Sequence, residues 1–207
     1  MSLMGTLGKV AMGIMVAKTV GKAMGGSGGL GGMLGGLMGG NKDASGSSQG
    51  GGMGDLLGGL MGGNAQSKTD SGLGGLLSDA FAGKTIEPTP TQEEQAKIIL
   101  KAMINAAKAD GHMDAEEQAK IVKHIGEVTP AEIAFVKAEM DAPLDLQGVI
   151  NASKGIESEV YLMSLMTINL DNQKEAHYLD QLAKGLNISQ QAANDFHDKV
   201  GAPKLYS

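Results

Sequence analysis

The chain has no cysteine, no tryptophan and no arginine, and only three tyrosines and three phenylalanines among 207 residues. Without cysteine there is no disulfide framework, no thiolate zinc site and no thiol nucleophile. That composition suits a reducing compartment. With no arginine and a net charge of −6, the chain lacks the cationic footprint that nucleic-acid binding requires, so no nucleic-acid partner is expected. It also lacks a long apolar run. The longest near the start, Val10–Ala17, is interrupted by Lys18 and falls far short of the roughly 20 residues a spanning helix needs. No small-residue cleavage site closes it, so it does not read as a signal peptide.

Glycine is abundant, and it is unevenly placed. Of 33 glycines only Gly111, Gly126, Gly148, Gly155, Gly185 and Gly201 follow residue 85, which leaves 27 before it. Glycine loses the most backbone entropy on folding and has no side chain to bury, so the first half is not expected to form a packed core. Charge divides at the same place. Residues 1–85 carry six lysines and four aspartates, for +2, and the rest carries eleven lysines against nineteen carboxylates, for −8. The expected organisation is an apolar, basic, membrane-seeking helix over residues 1–24, a glycine-rich low-complexity linker over 25–90, and one helical domain over 91–207.

Leu3, Leu7, Val10, Ala11 and Ile14 keep helical spacing, with Lys9, Lys18 and Lys22 as the only charges before residue 25. Such a segment can lie in a membrane interface with its lysines snorkelling to the headgroups. It can also pack weakly on its own domain or stay disordered, and the N-terminal half as a whole is expected to be largely disordered. Beyond it runs a degenerate repeat: LGGML at Leu30–Leu34, LGGLM at Leu34–Met38 and Leu57–Met61, and LGGLL at Leu73–Leu77. Glycines four apart, such as Gly32, Gly36 and Gly40, permit close helix approach in lipid. In water the same stretches are linkers carrying apolar stickers, a possible route to self-association. The linker reading fits better, because glycine disfavours isolated helices. Two phosphate-loop matches fail. Gly26, Gly28 and Gly31 lack a preceding strand, and Ser78–Thr85 has serine where the first glycine should stand, with Pro88 and Pro90 close behind.

After the prolines the pattern becomes helical throughout, and the fold class is all-α. Thr91 and Glu94 predict a capping box for a helix with Ala96, Ile99, Leu100, Met103 and Ala107 inward. Asp114 and Glu117 predict a second, with Ile121, Val122 and Ile125. Thr129-Pro130 with Glu132 opens a third, carrying Ile133, Val136 and Met140. Asp145 caps a short fourth bearing Val149 and Ile150, and Gly155 precedes an apolar fifth from Val160 to Ile168. A sixth bears Tyr178, Leu179, Leu182 and Leu186, and Ser189 caps a seventh with Ala193, Phe196 and Val200.

Two helix-to-helix turns carry clustered carboxylates. One holds Asp110, Asp114, Glu116 and Glu117, and the other holds Asn169, Asp171 and Glu175. Asp114/Glu117 and Asp171/Glu175 sit three and four apart, each pair on one helix face. If the fifth helix packs against the first, the turns meet, and their mutual repulsion calls for a cation. All-oxygen ligation favours Ca²⁺, then Mg²⁺ or Mn²⁺. The competing reading is structural, since acids at a helix N-terminus already gain from capping and the helix dipole.

An ordered set of motifs then stands out: Ala106-Ala-Lys-Ala-Asp110-Gly-His-Met-Asp114-Ala-Glu-Glu117, Pro143-Leu-Asp145, Tyr161-Leu-Met-Ser164, Asn169-Leu-Asp171 and Glu175-Ala-His-Tyr178-Leu179. Over about residues 92–200 these resemble the YebE-like inner-membrane proteins of the TerB-like (tellurite-resistance) group. The resemblance implies a seven-helix domain of two pseudo-repeated halves with metal-binding acidic turns. It places Asp110, Glu117, Asp171 and Glu175 at the acidic positions, with Asn169 standing where aspartate is usual. It also implies a bacterial inner-membrane association, on the cytoplasmic side.

His112 is a candidate carbonyl ligand, and His124, His177 and His197 read as solvated helix positions. None completes a catalytic triad, and no G-x-S-x-G is present. The sequence therefore reads as a membrane-associated, metal-sensitive interaction or stress-response module that is not an enzyme. Its rivals are a metal-dependent hydrolase using the same carboxylates and a purely structural helical domain on a self-associating tail.

Overall fold

The computed structural model describes residues 3, 5–7, 9, 10, 89–109, 111, 113, 118, 119, 129–168 and 170–207. Among them there is no strand. Six helices have defined bounds: α1 (Pro90–Ala107), α2 (Pro130–Asp141), α3 (Leu146–Ala152), α4 (Glu157–Thr167), α5 (Gln173–Gly185) and α6 (Gln190–Val200). A seventh helical stretch lies at residues 3–10, helical at every described position. The expected helix after Asp114 lies outside the described residues except for Gln118 and Ala119, both helical.

Local chemistry sets most of the helix starts. Thr129 and Glu132 form the expected capping box at α2, with Pro130 at the first position. Asp145 caps α3 through the Gly148 N–H, and Ser189 caps α6 through the Ala192 N–H. The head of α1 differs from expectation. Its capping box is Thr89 with Gln92, not Thr91 with Glu94, and Pro90 occupies the first helical position. Proline fits there because its fixed φ suits the helix and its missing N–H would have no partner anyway. Glu94 instead pairs with Lys97 on the exposed side.

Helix α4 is the centre of the domain. Every residue from Val160 to Thr167 is buried, as befits a helix that is apolar nearly all round. It packs against α1, α5 and α6, while α1 also meets α2 and α3. The expected inner stripe of α1, from Ala96 to Ala107, is buried throughout. Helices α3 and α5 approach so closely that a Cβ at Gly185 would collide with the Ile150 side chain.

The N-terminal segment joins this core. Leu7 and Val10 are 0% exposed and belong to the same cluster as Ile99, Leu100 and Val160. The Leu3 N–H donates to Glu93 Oε2 at 2.8 Å, and Thr6 Oγ1 donates to Glu132 Oε1 at 2.9 Å. At these described positions the packed alternative of the sequence reading is what the fold contains. Residues 3 and 6 thus touch the starts of both α1 and α2. At the other end Lys108 reaches the last carbonyls of α2, so α1 and α2 run side by side in the same sense.

Candidate functional site

The described part of the acidic site is the turn between α4 and α5. The helix stops at Thr167, Ile168 turns extended, and Leu170 takes a left-handed backbone at φ 48°. Asn172 then caps α5, its Oδ1 accepting from the Glu175 N–H at 3.0 Å. Glu175 bends back so that its Oε2 accepts from the Asp171 N–H at 3.1 Å. The Glu175 side chain is 1% exposed, whereas Asp171 is exposed and takes an Asn172 Nδ2 donor at 3.3 Å. The turn therefore carries an exposed carboxylate and a buried one, tied together through the backbone. The buried carboxylate already helps hold the turn.

Of the expected site residues, Asp171 and Glu175 are brought together in this way. Asp110, Asp114, Glu117 and Asn169 lie outside the described residues, as do His112 and His124. Helices α1 and α4 do pack on one another, and their C-terminal ends, Ala107 and Thr167, lead into the two acidic stretches. Among the described residues no three His, Asp or Glu side chains converge to hold an ion. Nor, among them, is any helix long and apolar enough to cross a membrane.

Two further polar residues were not anticipated. Lys108 is buried, and its ammonium donates to the carbonyls of Glu139 and Ala142, both at 2.7 Å. Desolvation lowers its pKa, with Glu139 opposing. Helix α2 has no basic residue in its own last turn, so Lys108 supplies the cation that a helix C-terminus favours. The signal was available: Lys108 directly follows the buried run of α1.

His197 is the second. It is 0% exposed, which corrects its reading as a solvated position. Its Nδ1–H donates to the Pro203 carbonyl, a group that can only accept. Nε2 therefore accepts from the Tyr161 hydroxyl at 3.0 Å. Ala193, Phe196, His197 and Val200 stand at i, i+3, i+4 and i+7, so the histidine had fallen on the apolar stripe of α6. Asn194 completes the closure of the C-terminal tail. Its Oδ1 accepts from the N–H groups of Leu205 and Tyr206, and its Nδ2 donates to the Tyr206 carbonyl. The histidine is sealed beneath this tail, and its contacts are structural.

The model of a family described as "protein of unknown function (DUF533)" matches residues 23–200. The chain belongs to the DUF533 family. The match takes in the glycine-rich half as well as the helical domain and begins after the docked segment at residues 3–10. This DUF533 protein is also 26% identical, over 116 residues, to an uncharacterized protein in the ampR 5' region of Yersinia enterocolitica. The aligned stretch covers 54% of this chain and 84% of that protein. No solved structure matches.

Proposed function

We propose that this DUF533 protein is a membrane-associated interaction module of the TerB-like group, with no catalysis of its own. In this reading it lies on the cytoplasmic side of a bacterial inner membrane and serves a stress response. The N-terminal segment carries the reading. It is a short helical stretch with Leu3, Leu7 and Val10 on one side, flanked by lysines and free of acidic residues up to residue 24. The 78 residues between Val10 and Thr89, 25 of them glycine, separate it from the domain. A segment of that composition suits the interfacial boundary of a membrane. The ordered motifs from Ala106 to Leu179 support the TerB-like assignment. Deleting residues 1–24 should move the protein from the membrane fraction to the soluble one. Unchanged fractionation would remove the anchor role from this segment.

The same group membership carries a second element, a hard cation held by Asp110, Glu117, Asp171 and Glu175, with Asp114 and Asn169 close by. In its favour stands the burial of the Glu175 carboxylate beside Asp171, in a turn that follows the helix packed on α1. Ca²⁺ or Mg²⁺ at 100 times its dissociation constant, bound only by the folded form, adds about 2.7 kcal/mol. That raises the melting midpoint by several degrees. Glu175→Gln keeps an oxygen for the Asp171 N–H but loses the charge, so the metal-dependent shift should largely vanish while the metal-free fold survives. If cations leave the wild-type midpoint unmoved, the carboxylates serve only the turn.

A further inference from the structure

The apolar side chains of the N-terminal segment have one place in the fold and another in the proposed function, and both cannot be filled at once. Leu7 and Val10 are fully buried in the domain, and Leu3 packs beside them. An interfacial helix needs those same side chains at the acyl boundary. We infer that residues 3–10 are a latch. Docked across the starts of α1 and α2, the segment is withheld from the membrane. Released from Glu93 and Glu132, it is free to enter a lipid surface. The inference rests on the membrane reading above.

Four observations carry it. First, among the described residues the apolar part of the dock is two fully buried side chains with Leu3 packed beside them, and its hydrogen bonds include Leu3 N–H to Glu93 and Thr6 hydroxyl to Glu132. Against these stands the conformational entropy of ordering the segment, a cost of comparable size, so docking is poised rather than permanent. Second, so short a helix is marginal in water on its own. It needs either the domain or an interface to form. Third, charge complementarity works in both places. Residues 1–24 carry three lysines and no acid, while residues 86–207 carry a net −8. The acidic domain and an anionic lipid headgroup therefore compete for one basic segment. Fourth, 78 intervening residues allow the segment to leave the domain without strain, yet keep it at high local concentration for return.

Thr6 is the position that separates docking from lipid affinity. Its side chain is 1% exposed and faces Glu132, itself buried and already accepting from the Thr129 N–H and hydroxyl. Thr6→Asp sets a second carboxylate against Glu132 in a buried setting, which opposes docking. The same change makes the segment a poorer lipid ligand, because it adds negative charge and removes apolar character. Increased binding to anionic vesicles by this variant cannot arise from the segment's own affinity.

The experiment uses the full chain, wild type and Thr6→Asp, with vesicles of phosphatidylcholine containing one third phosphatidylglycerol. A synthetic peptide of residues 1–24 serves as reference. Hydrogen exchange without lipid should show residues 3–10 protected in the wild type and unprotected in Thr6→Asp, with α1 and α4 protected in both. Thr6→Asp should then bind vesicles more tightly than the wild type, by up to about tenfold as release raises the competent fraction from roughly a tenth to nearly all, less the lipid affinity that the aspartate itself removes. Thr6→Gly, which removes the hydroxyl without adding charge, should shift in the same direction and covers the case in which aspartate disturbs the domain. The latch is overturned if the segment is exposed in the variants but the full chain binds no more tightly while the peptide does bind. It is overturned equally if protection of residues 3–10 survives both substitutions. A peptide that ignores the vesicles removes the membrane reading itself, and the latch with it.

Discussion

Tyr161 and Tyr178 carry the same side chain into opposite situations, and both lie in motifs on which the TerB-like resemblance rests. The Tyr161 hydroxyl has a partner in His197 and its ring lies 5.8 Å from that of Phe196. The Tyr178 hydroxyl is buried and, with the Ser164 hydroxyl, reaches no hydrogen-bond partner in good geometry among the described residues. Burial pushes its phenol far up, the nearby Ser164 hydroxyl offsetting a little of the effect. Removing a hydroxyl should therefore act in opposite directions. Tyr161→Phe strands the His197 Nε2 acceptor and should cost about 1–3 kcal/mol. Tyr178→Phe removes an unsatisfied buried donor and should be neutral or stabilising by about 1 kcal/mol. Urea denaturation of the two variants gives the comparison directly, and equal destabilisation would sink it. His197 adds a pH dependence. Desolvation holds its pKa below the ordinary 6.5, while the Pro203 carbonyl and Asp198 pull it upward. As pH falls the unfolded chain takes the proton first. Stability is therefore intact above about pH 6.5 and declines below it, by at most about 1.4 kcal/mol per pH unit. His197→Gln should flatten the profile between pH 7 and 5.5, and a wild-type profile already flat there would refute the neutral assignment.

At the scale of the helices, Lys108 shows how one element completes another. Lys108→Met keeps the apolar stem but leaves the end of α2 without its two charge-assisted hydrogen bonds. It should cost roughly 1.5–3 kcal/mol and increase hydrogen exchange in the last turn of α2 before that of α4. Loss spread evenly over the domain would argue against a local capping role. Such a contact lies beyond what a sequence displays, because it joins residues 31 and 34 positions apart. The caps at Thr129, Asp145 and Ser189 were legible for the converse reason: donor and acceptor sit within three residues, so the pattern contains the whole interaction. The head of α1 was misread because Thr89 and Thr91 offer competing local solutions, and only Thr89 puts Pro90 at the first helical position. The candidate site was legible to the same depth. The four-residue spacing placed Asp171 and Glu175 together, but it did not show that the Glu175 carboxylate would turn back onto the Asp171 N–H. That bond directly follows the left-handed Leu170, a conformation of which the residue type gives no warning.

For the whole molecule the decisive question is how much of the core the distant N-terminus supplies. Composition assigned the patterned apolar positions to residues after 88, and the buried clusters of α1, α4 and α5 agree with that. The fold adds Leu7 and Val10, which arrive from beyond a glycine-rich stretch that periodicity could not bridge. Burying two such side chains is worth about 1.5–3 kcal/mol each. Ordering the eight residues that carry them costs about 1 kcal/mol or more apiece in backbone entropy, a charge that the segment's helical hydrogen bonds and its contacts with Glu93 and Glu132 partly offset. The opposing terms nearly cancel, so an isolated fragment of residues 88–207 should still melt cooperatively and lose no more than a few kcal/mol. Its midpoint should lie several degrees below that of the full chain. Adding the 1–24 peptide in excess should restore part of the difference by mass action, since it binds only the folded fragment. A fragment that melts without cooperativity would mean the N-terminal segment is an obligatory part of the core, too firmly embedded to leave it. A fragment as stable as the full chain, and indifferent to the peptide, would mean the dock contributes nothing to the fold.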